Sequence, residues 1–204
     1  SNERVVARVR SAVQLQALQR ELDFARRIQS SMLPAPPLPA QARELDFHGF
    51  MRAARQVGGD FYDWLPLGPR RFLFAIGDVC DKGMPAALFM VRALTLLRSA
   101  AAGGGDAGGE CLARWMAHVN DQLAESNEAQ LFVSVFCAIV DLDAGVLHHV
   151  DAGHNAPLLV SRVGEVARVD RPRGPVAGIM PGLAFQVGTV AFPPGTGLLL
   201  YTDG

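Results

Sequence analysis

Short apolar runs separated by turn residues follow the first 44 residues of this chain and limit its fold more than any other feature. Each run alternates apolar with polar residues or is apolar throughout, as β-strands are. Two helical patterns, Pro85 to about Ala100 and about Glu110 to Leu123, stand within the series and predict a layered α+β fold. The predicted strands are Leu45–Met51, Phe61–Leu65, Arg71–Asp78, Phe132–Leu142, Val146–Asp151, Pro157–Val160, Phe185–Ala191 and Gly197–Thr202.

The N-terminal segment predicts one long helix from Arg4 to Leu33, because it lacks Gly and Pro and is rich in good helix formers. Apolar residues recur every three or four positions along the segment and form a narrow stripe on one side of the helix. Such a stripe is typical of a coiled-coil seam or of a face packed on the same domain. The two expectations are therefore a homodimer through the helix and a helix that lies on its own domain. Four prolines then end the helix. The predicted organisation is a helix over 1–33, a proline-rich connector over 34–44 and a globular domain over 45–204. The stripe comprises Val6, Val9, Val13, Leu15, Leu18, Leu22, Ala25, Ile28 and Met32.

Composition narrows the class of protein. Half of the 204 residues are hydrophobic, which is enough to bury a core, and the net charge of −1 gives no basic excess for nucleic acid. Three cysteines without CxxC spacing favour reduced thiols in a cytoplasmic protein. The sequence shows no uninterrupted apolar run of about 18 residues and no apolar segment after its charged N-terminus, so we expect neither a membrane span nor a signal peptide.

Four short segments combine glycine with residues that carry chemistry. Asp60, Asp78 and Asp203 each lie at a strand end or turn, and each adjoins a glycine, which lets the backbone approach a ligand closely. Clustered carboxylates would repel unless a cation neutralised them, and hard oxygen ligands suit Mg²⁺ or Mn²⁺. Any one of these segments alone is typical of a simple turn. The segments are Gly58-Gly59-Asp60-Phe61-Tyr62-Asp63, Gly77-Asp78-Val79-Cys80-Asp81-Lys82-Gly83, Ala152-Gly153-His154-Asn155 and Tyr201-Thr202-Asp203-Gly204.

The order of these segments resembles the SpoIIE/RsbU group of the protein phosphatase 2C-like, metal-dependent serine/threonine phosphatases. The stretch from Ala25 through Gln29 to Pro34 is similar to the entry helix of that group, and the resemblance extends from about Leu22 to the end of the chain. It implies a layered αββα sandwich of two mainly antiparallel sheets flanked by helices. It also implies hydrolysis of phosphoserine or phosphothreonine by metal-activated water, with two Mn²⁺ or Mg²⁺ ions and no covalent intermediate.

The resemblance also implies roles for individual residues. Asp60 and Asp78 would be the catalytic residues that ligate or bridge the metals, the Val79 carbonyl would complete one site, and Asp203 would hold the second metal. His154 would act near the phosphate or brace the site, and both roles stay open. Family members continue past Thr-Asp-Gly with closing strands and a further metal-binding Asp, so the C-terminal part of the fold is expected to be missing. The supporting glycines would be Gly58, Gly59 and Gly77, which allow backbone approach, and Gly83, which positions the next helix.

The partners follow from the same resemblance. The expected substrate is a phosphorylated anti-sigma-factor antagonist, a STAS-domain protein in a partner-switching pathway, and an upstream sensor or receiver domain is expected before the helix. The alternative is an inactive pseudophosphatase that serves as a regulatory binding or scaffold module; the presence of all three aspartates favours the enzyme. The sequence has neither a GxxxxGK[ST] loop nor a GxSxG elbow. A Cys80–His154 nucleophile pair stays open.

Overall fold

The computed structural model describes residues 2–35, 44–51, 57–103, 108–169 and 172–203. Helices and strands alternate in groups along these ranges, as the sequence pattern predicts. The helices are α1 (Asn2–Met32), α2 (Met84–Gly103) and α3 (Cys111–Ala124). The strands are β1 (Phe61–Pro66), β2 (Arg71–Val79), β3 (Val133–Asp141), β4 (Val146–Ala152), β5 (Leu158–Val160), β6 (Val166–Arg168), β7 (Gly188–Ala191) and β8 (Gly197–Leu199).

The strands form two antiparallel sheets. The larger sheet has the order β1-β2-β3-β4-β7, and the smaller one has the order β6-β5-β8. Alternate residues of β2 point to opposite faces of the larger sheet. Leu73 therefore joins a core formed with α2 and α3, while Phe72 and Phe74 join a core on the opposite face that includes Leu159 and Leu198 of the smaller sheet. This arrangement of helices, sheet and second sheet confirms the predicted α+β layers.

Helix α1 contributes almost nothing to either core. It spans 31 residues, and the one fully buried side chain within it is that of Gln29. Val9, Val13 and Leu18 of the apolar stripe are all more than half exposed. The first two-thirds of α1 therefore present their apolar stripe to solvent, and only Met32 at its end packs against the core beneath α2.

Some predicted strands differ from the observed ones. The segment 45–51 forms no strand among the described residues; it runs beside the sheet and packs the Phe47 ring 5.6 Å from that of Phe74, without a ladder partner. Strand β6 was not predicted, because all three of its residues are exposed and show no apolar alternation. Most of the predicted connector 34–44, and the glycine-rich stretch at 104–107, lie outside the described residues.

Helix α2 is long and apolar enough to cross a membrane, judged by length and composition alone. In this fold its apolar side is occupied by the protein core, where Met90, Ala93 and Leu94 are fully buried. A helix buried in a protein core can have the length and composition of a membrane-spanning helix, and α2 is such a core helix in this fold.

A partly buried ion pair ties the end of α1 to the rest of the fold. Arg98 of α2 donates two hydrogen bonds to the Asp63 carboxylate, at 2.7 and 2.9 Å, and a third to the Met32 carbonyl at 2.8 Å. The Asp63 side chain is only 3% exposed. The contact with Met32 is favourable in itself, because a cation near the last carbonyls of a helix is stabilising. Through Asp63 of β1 and Met32 of α1, the Arg98 guanidinium links both elements to α2.

Removing this guanidinium should destabilise the fold. We expect Arg98→Ala to lower the free energy of unfolding by about 3 kcal/mol, because it leaves the buried Asp63 carboxylate without its partner. Urea denaturation measures the change, with Arg114→Ala, an exposed arginine on α3, as a control expected within about 0.5 kcal/mol of the original chain. Equal effects of the two substitutions would contradict this role for Arg98.

Candidate metal centre

The pairing of β1 with β2 brings two of the predicted aspartates together. The strands are antiparallel, and Phe61 at the start of β1 faces Gly77 near the end of β2. Asp60 directly precedes β1 and Asp78 directly follows Gly77, so both lie at the same end of the sheet. A fixed register therefore places residues 18 positions apart beside each other.

Glycine is needed where the two loops meet. The Val79 amide donates to the Gly59 carbonyl at 3.4 Å. A Cβ atom on Gly59 would lie 2.9 Å from both the side chain and the carbonyl oxygen of Val79, too close for any other residue. Gly77 is equally constrained, because a Cβ atom there would lie 2.5 Å from the Phe61 ring. Two of the predicted glycines thus allow the backbone approach that the sequence analysis expects.

The carboxylates at this end of the sheet interact strongly. Burial, a hydrogen bond with Asp60 and the negative charges of Asp60 and Asp203 together raise the pKa of Asp78 to about 7, with burial the largest cause. Lys82 opposes the shift. The Thr202 hydroxyl donates to Asp60 at 3.4 Å. The structure therefore brings Asp60 and Asp78 into contact and Asp203 into electrostatic range.

These donors fit a hard divalent cation in their chemistry. A hydrogen bond between two carboxyl groups requires a proton on one of them, and a cation could replace that proton. Oxygen donors of this kind suit Mg²⁺ or Mn²⁺. Among residues 2–35, 44–51, 57–103, 108–169 and 172–203, however, no three His, Cys, Asp or Glu side chains are grouped as ligands of one ion. Asp203 is near the pair without completing such a group.

The loop after Asp78 turns sharply into α2. Asp81 and Gly83 both have positive φ angles, of 72° and 80°, a conformation that Asp tolerates better than most residues. The Asp81 carboxylate accepts a hydrogen bond from the Lys82 amide at 2.7 Å, so it faces its own turn. The Gly83 carbonyl accepts from the Ala87 amide at 3.0 Å, which places Gly83 at the start of α2 as predicted.

His154 connects the two sides of the site. Its Nδ1 lies 2.9 Å from the Ser134 hydroxyl, which itself lies 3.4 Å from the Asp78 carbonyl. Its Nε2 lies 3.2 Å from the Tyr201 carbonyl, two residues before Asp203. A carbonyl accepts only, so Nε2 carries the proton; burial lowers the pKa of His154, which favours this neutral form. These contacts favour the bracing role over contact with a phosphate.

Asp151 and Arg173 fix the backbone of the loop that carries His154. The His154 amide donates to Asp151 at 2.8 Å, and the Arg173 guanidinium donates to the His154 carbonyl at 3.1 Å. The Arg173 guanidinium also lies 3.8 Å from the Asp151 carboxylate. The imidazole is thus fixed through its backbone as well as through both ring nitrogens.

The sequence also matches a known family over this part of the chain. The family model described as "Stage II sporulation protein E (SpoIIE)" matches residues 68–204, a region that includes Asp78, His154 and Asp203. The chain belongs to the SpoIIE family. The resemblance drawn from the order of the four motifs is therefore confirmed.

Relatives of this SpoIIE-family chain agree with the match. It is 31% identical to Protein IcfG of Synechocystis over 90% of its length and 32% of that protein, and 24% identical to the phosphoserine phosphatase RsbP of Bacillus subtilis over 91% of its length and 45% of that protein. The chain thus spans between about a third and a half of these relatives.

The fold agrees as well. The SiaA-PP2C domain of Pseudomonas aeruginosa superposes with a TM-score of 0.76 at 21% identity, over 92% of this chain and 72% of that one. The predicted phosphatase 2C-like fold is therefore confirmed.

Several contacts at the site were not predicted from the sequence. Ser134 links His154 to Asp78, and Gln29 contacts Gly58 from 29 positions away. Gln29 is one of three successive polar residues between Ile28 and Met32, so its position in the helix did not distinguish it. Ser134 carried no signal either, since a serine in a strand is ordinary.

The raised pKa of Asp78 predicts a pH dependence for the metal-free chain. The folded state holds a proton on Asp78 between pH 3.8, its usual pKa, and about 7, so stability falls as pH rises through that window. Asp78→Asn removes this charge, and we expect it to stabilise the metal-free chain at pH 8 by roughly 1 kcal/mol, since solvent screens a half-exposed group.

Thermal or urea unfolding in the presence of a chelator measures this effect. Asp81→Asn, at an exposed residue of the same loop, is the matched control and should change stability little at pH 8, because the Asn side-chain oxygen can still accept from the Lys82 amide. If Asp78→Asn gave no gain at pH 8, or if Asp81→Asn gave the same gain, the interaction between the carboxyl groups would be ruled out as the cause.

Proposed function

We propose that this chain is a metal-dependent protein serine/threonine phosphatase domain. The observation that carries the proposal is the contact between Asp60 and Asp78 beside the further carboxylate of Asp203: burial, the hydrogen bond with Asp60 and the two neighbouring negative charges together raise the pKa of Asp78 to about 7. Structural ion-pair networks usually pair opposite charges, whereas this site gathers like charges at the end of a sheet. Such a group is suited to binding cations.

The residues divide the work as follows. Asp60, Asp78 and the Val79 carbonyl would hold the cations, with Asp203 at the second ion. When bound, two Mn²⁺ or Mg²⁺ ions would supply charge neutralisation at the phosphoryl group and activation of the attacking water. Gly59 lets the two ligand loops meet, and His154 keeps the Asp78 and Asp203 segments at a fixed separation through Ser134 and the Tyr201 carbonyl.

A covalent mechanism through Cys80 has less support. The Cys80 sulfur accepts a hydrogen bond from the Phe132 amide at 3.1 Å. Both ring nitrogens of His154 are engaged by Ser134 and Tyr201. Because the histidine has no nitrogen left to deprotonate a thiol, direct attack by water accounts better for the site.

The substrate and setting are proposed from the relatives. RsbP and RsbU of Bacillus subtilis are both named phosphoserine phosphatases. By analogy, this chain would act in the cytoplasm on a phosphorylated STAS-domain antagonist of an anti-sigma factor, and an upstream sensor or receiver domain would regulate it through α1. The share of these relatives that the chain spans leaves room for such a domain.

A regulatory binding module without turnover is the second candidate. It is favoured by one observation: the described residues do not group three acidic or histidine side chains around one position. In that case the fold and α1 would be retained for partner contacts, and the aspartates would not support hydrolysis.

The test is Mn²⁺-dependent hydrolysis of p-nitrophenyl phosphate and of a phosphorylated STAS protein. It should be made on this chain and on the longest natural form of the protein. We expect Asp60→Asn and Asp78→Asn each to reduce the rate by about 100-fold or more, and Asp81→Asn to leave it within a few-fold. Full activity of either of the first two variants would overturn the assignment. Absence of turnover in every form, with any divalent metal, would favour the binding module.

We further infer that α1 mediates a homodimer. Its apolar stripe from Val6 to Leu18 is exposed, and an isolated helix with such a stripe is more stable when the stripe is paired. Leu18→Gln with Leu22→Gln should give a monomer by light scattering, while Arg20→Gln, an exposed residue off the stripe, should leave the mass unchanged. An equal mass for the leucine variant and the original chain would count against the dimer.

A further inference from the structure

Helix α1 buries a glutamine where a helix on a domain surface usually buries an apolar side chain. Gln29 is 4% exposed and is the one fully buried residue between Asn2 and Met32. A buried side-chain amide costs free energy unless its donor and acceptor are both satisfied. The burial of Gln29 therefore has to be explained by its partner.

That partner is the backbone of a single glycine. The Gln29 side-chain nitrogen donates to the Gly58 carbonyl at 2.6 Å, and the Gly58 amide donates to the Gln29 side-chain oxygen at 3.2 Å. The primary amide thus pairs with one residue as a neighbouring β-strand would. No apolar, acidic or basic side chain can both donate and accept in this way at neutral pH.

Gly58 begins the loop that carries Asp60. The next residue, Gly59, is pressed against Val79, with its carbonyl accepting from the Val79 amide. Asp60 follows, in hydrogen-bond contact with Asp78. The position of Asp60 is therefore fixed on one side by β1 and on the other by two successive backbone contacts, of which the one to Gln29 comes from outside the sheet.

The last turns of α1 are themselves fixed. The Met32 carbonyl accepts from Arg98, and the Ala35 carbonyl accepts from the Trp64 indole at 2.9 Å. Gln29 thus projects from a turn that the body of the domain holds in place. Movement of its amide away from Gly58 requires movement of that turn.

We propose that Gln29 is a positioning residue for the metal-binding loop: its paired hydrogen bonds to Gly58 hold Asp60 in the place where it binds the cation. The proposal rests on the proposed function and goes beyond it by assigning part of the metal affinity to a residue of α1. Loss of a residue that orients a metal ligand typically weakens metal binding by about 10-fold to 100-fold. We expect the low end of that range, because Gln29 acts through the backbone.

The experiment measures Mn²⁺ binding by calorimetry, and separately the Mn²⁺ concentration that gives half-maximal hydrolysis. Gln29→Met keeps the length of the side chain and removes both hydrogen bonds, and should weaken Mn²⁺ binding by about 10-fold. At saturating Mn²⁺, kcat should return to within a few-fold of the original value and KM for the phosphate ester should be unchanged. Gln19→Met, an exposed glutamine on the same helix, is the matched control and should change nothing.

A general loss of stability would behave differently. It would lower the midpoint of thermal unfolding and would reduce kcat at every Mn²⁺ concentration. If Gln29→Met fails to fold, Gln29→Glu provides the same measurement, because it keeps the bond from the Gly58 amide and loses the one to the Gly58 carbonyl. Weaker Mn²⁺ binding by that variant would support the role of Gln29.

Asp78→Asn separates the two hypotheses. Retention of Mn²⁺ binding by Asp78→Asn would overturn the proposed function itself. Loss of binding in Asp78→Asn together with unchanged binding in Gln29→Met and Gln29→Glu would overturn only the role of Gln29. An equal weakening by Gln19→Met would also overturn it, since the effect would then belong to α1 as a whole.

Discussion

Repulsion between carboxylates at one end of the larger sheet is the constraint on which the rest of this structure depends. Asp60 and Asp78 are held in contact by the β1–β2 register at a cost, because burial, and after it the hydrogen bond and negative charge of Asp60, raise the pKa of Asp78. A fold tolerates such a cost only where surrounding contacts fix the geometry. Gly59 and His154 supply those contacts from neighbouring loops, Ser134 supplies one from β3, and Gln29 supplies another from α1.

The sequence predicted the parts of the fold that depend on local pattern. The nearly continuous apolar runs along Arg71–Asp78 and Phe132–Leu142 correspond to β2 and β3, because both strands lie between two cores and bury residues on each face. The paired glycines and aspartates predicted the two loops that meet at this end of the sheet, since close backbone approach admits no other residue at Gly59. Family membership followed from the order of the motifs rather than from any one of them.

The remaining features depend on contacts between distant residues, which a single sequence does not encode locally. Asp63 belongs to the first of the four motifs, but its ion pair with Arg98 depends on a residue 35 positions away. Segment 45–51 alternates like a strand but lies where no neighbouring strand offers a ladder. The sequence left two roles open for His154. The bracing role is favoured by two partners distant in the chain, the Ser134 hydroxyl, 20 positions away, and the Tyr201 carbonyl, 47 positions away.

Among the described residues, the body of the domain holds α1 through its last turns, which gives the helix the mechanics of a rod clamped at its base. At 1.5 Å per residue, Asn2 lies about 40 Å from Gln29 along the helix axis. Tilting such a rod moves the Asn2 end by many times the displacement at the clamp, so sideways motion reaches Gly58 strongly reduced. Rotation about the long axis is not reduced in this way, because every residue turns through the same angle. The loop that carries Asp60 is thus shielded from bending of α1 and directly exposed to its torsion.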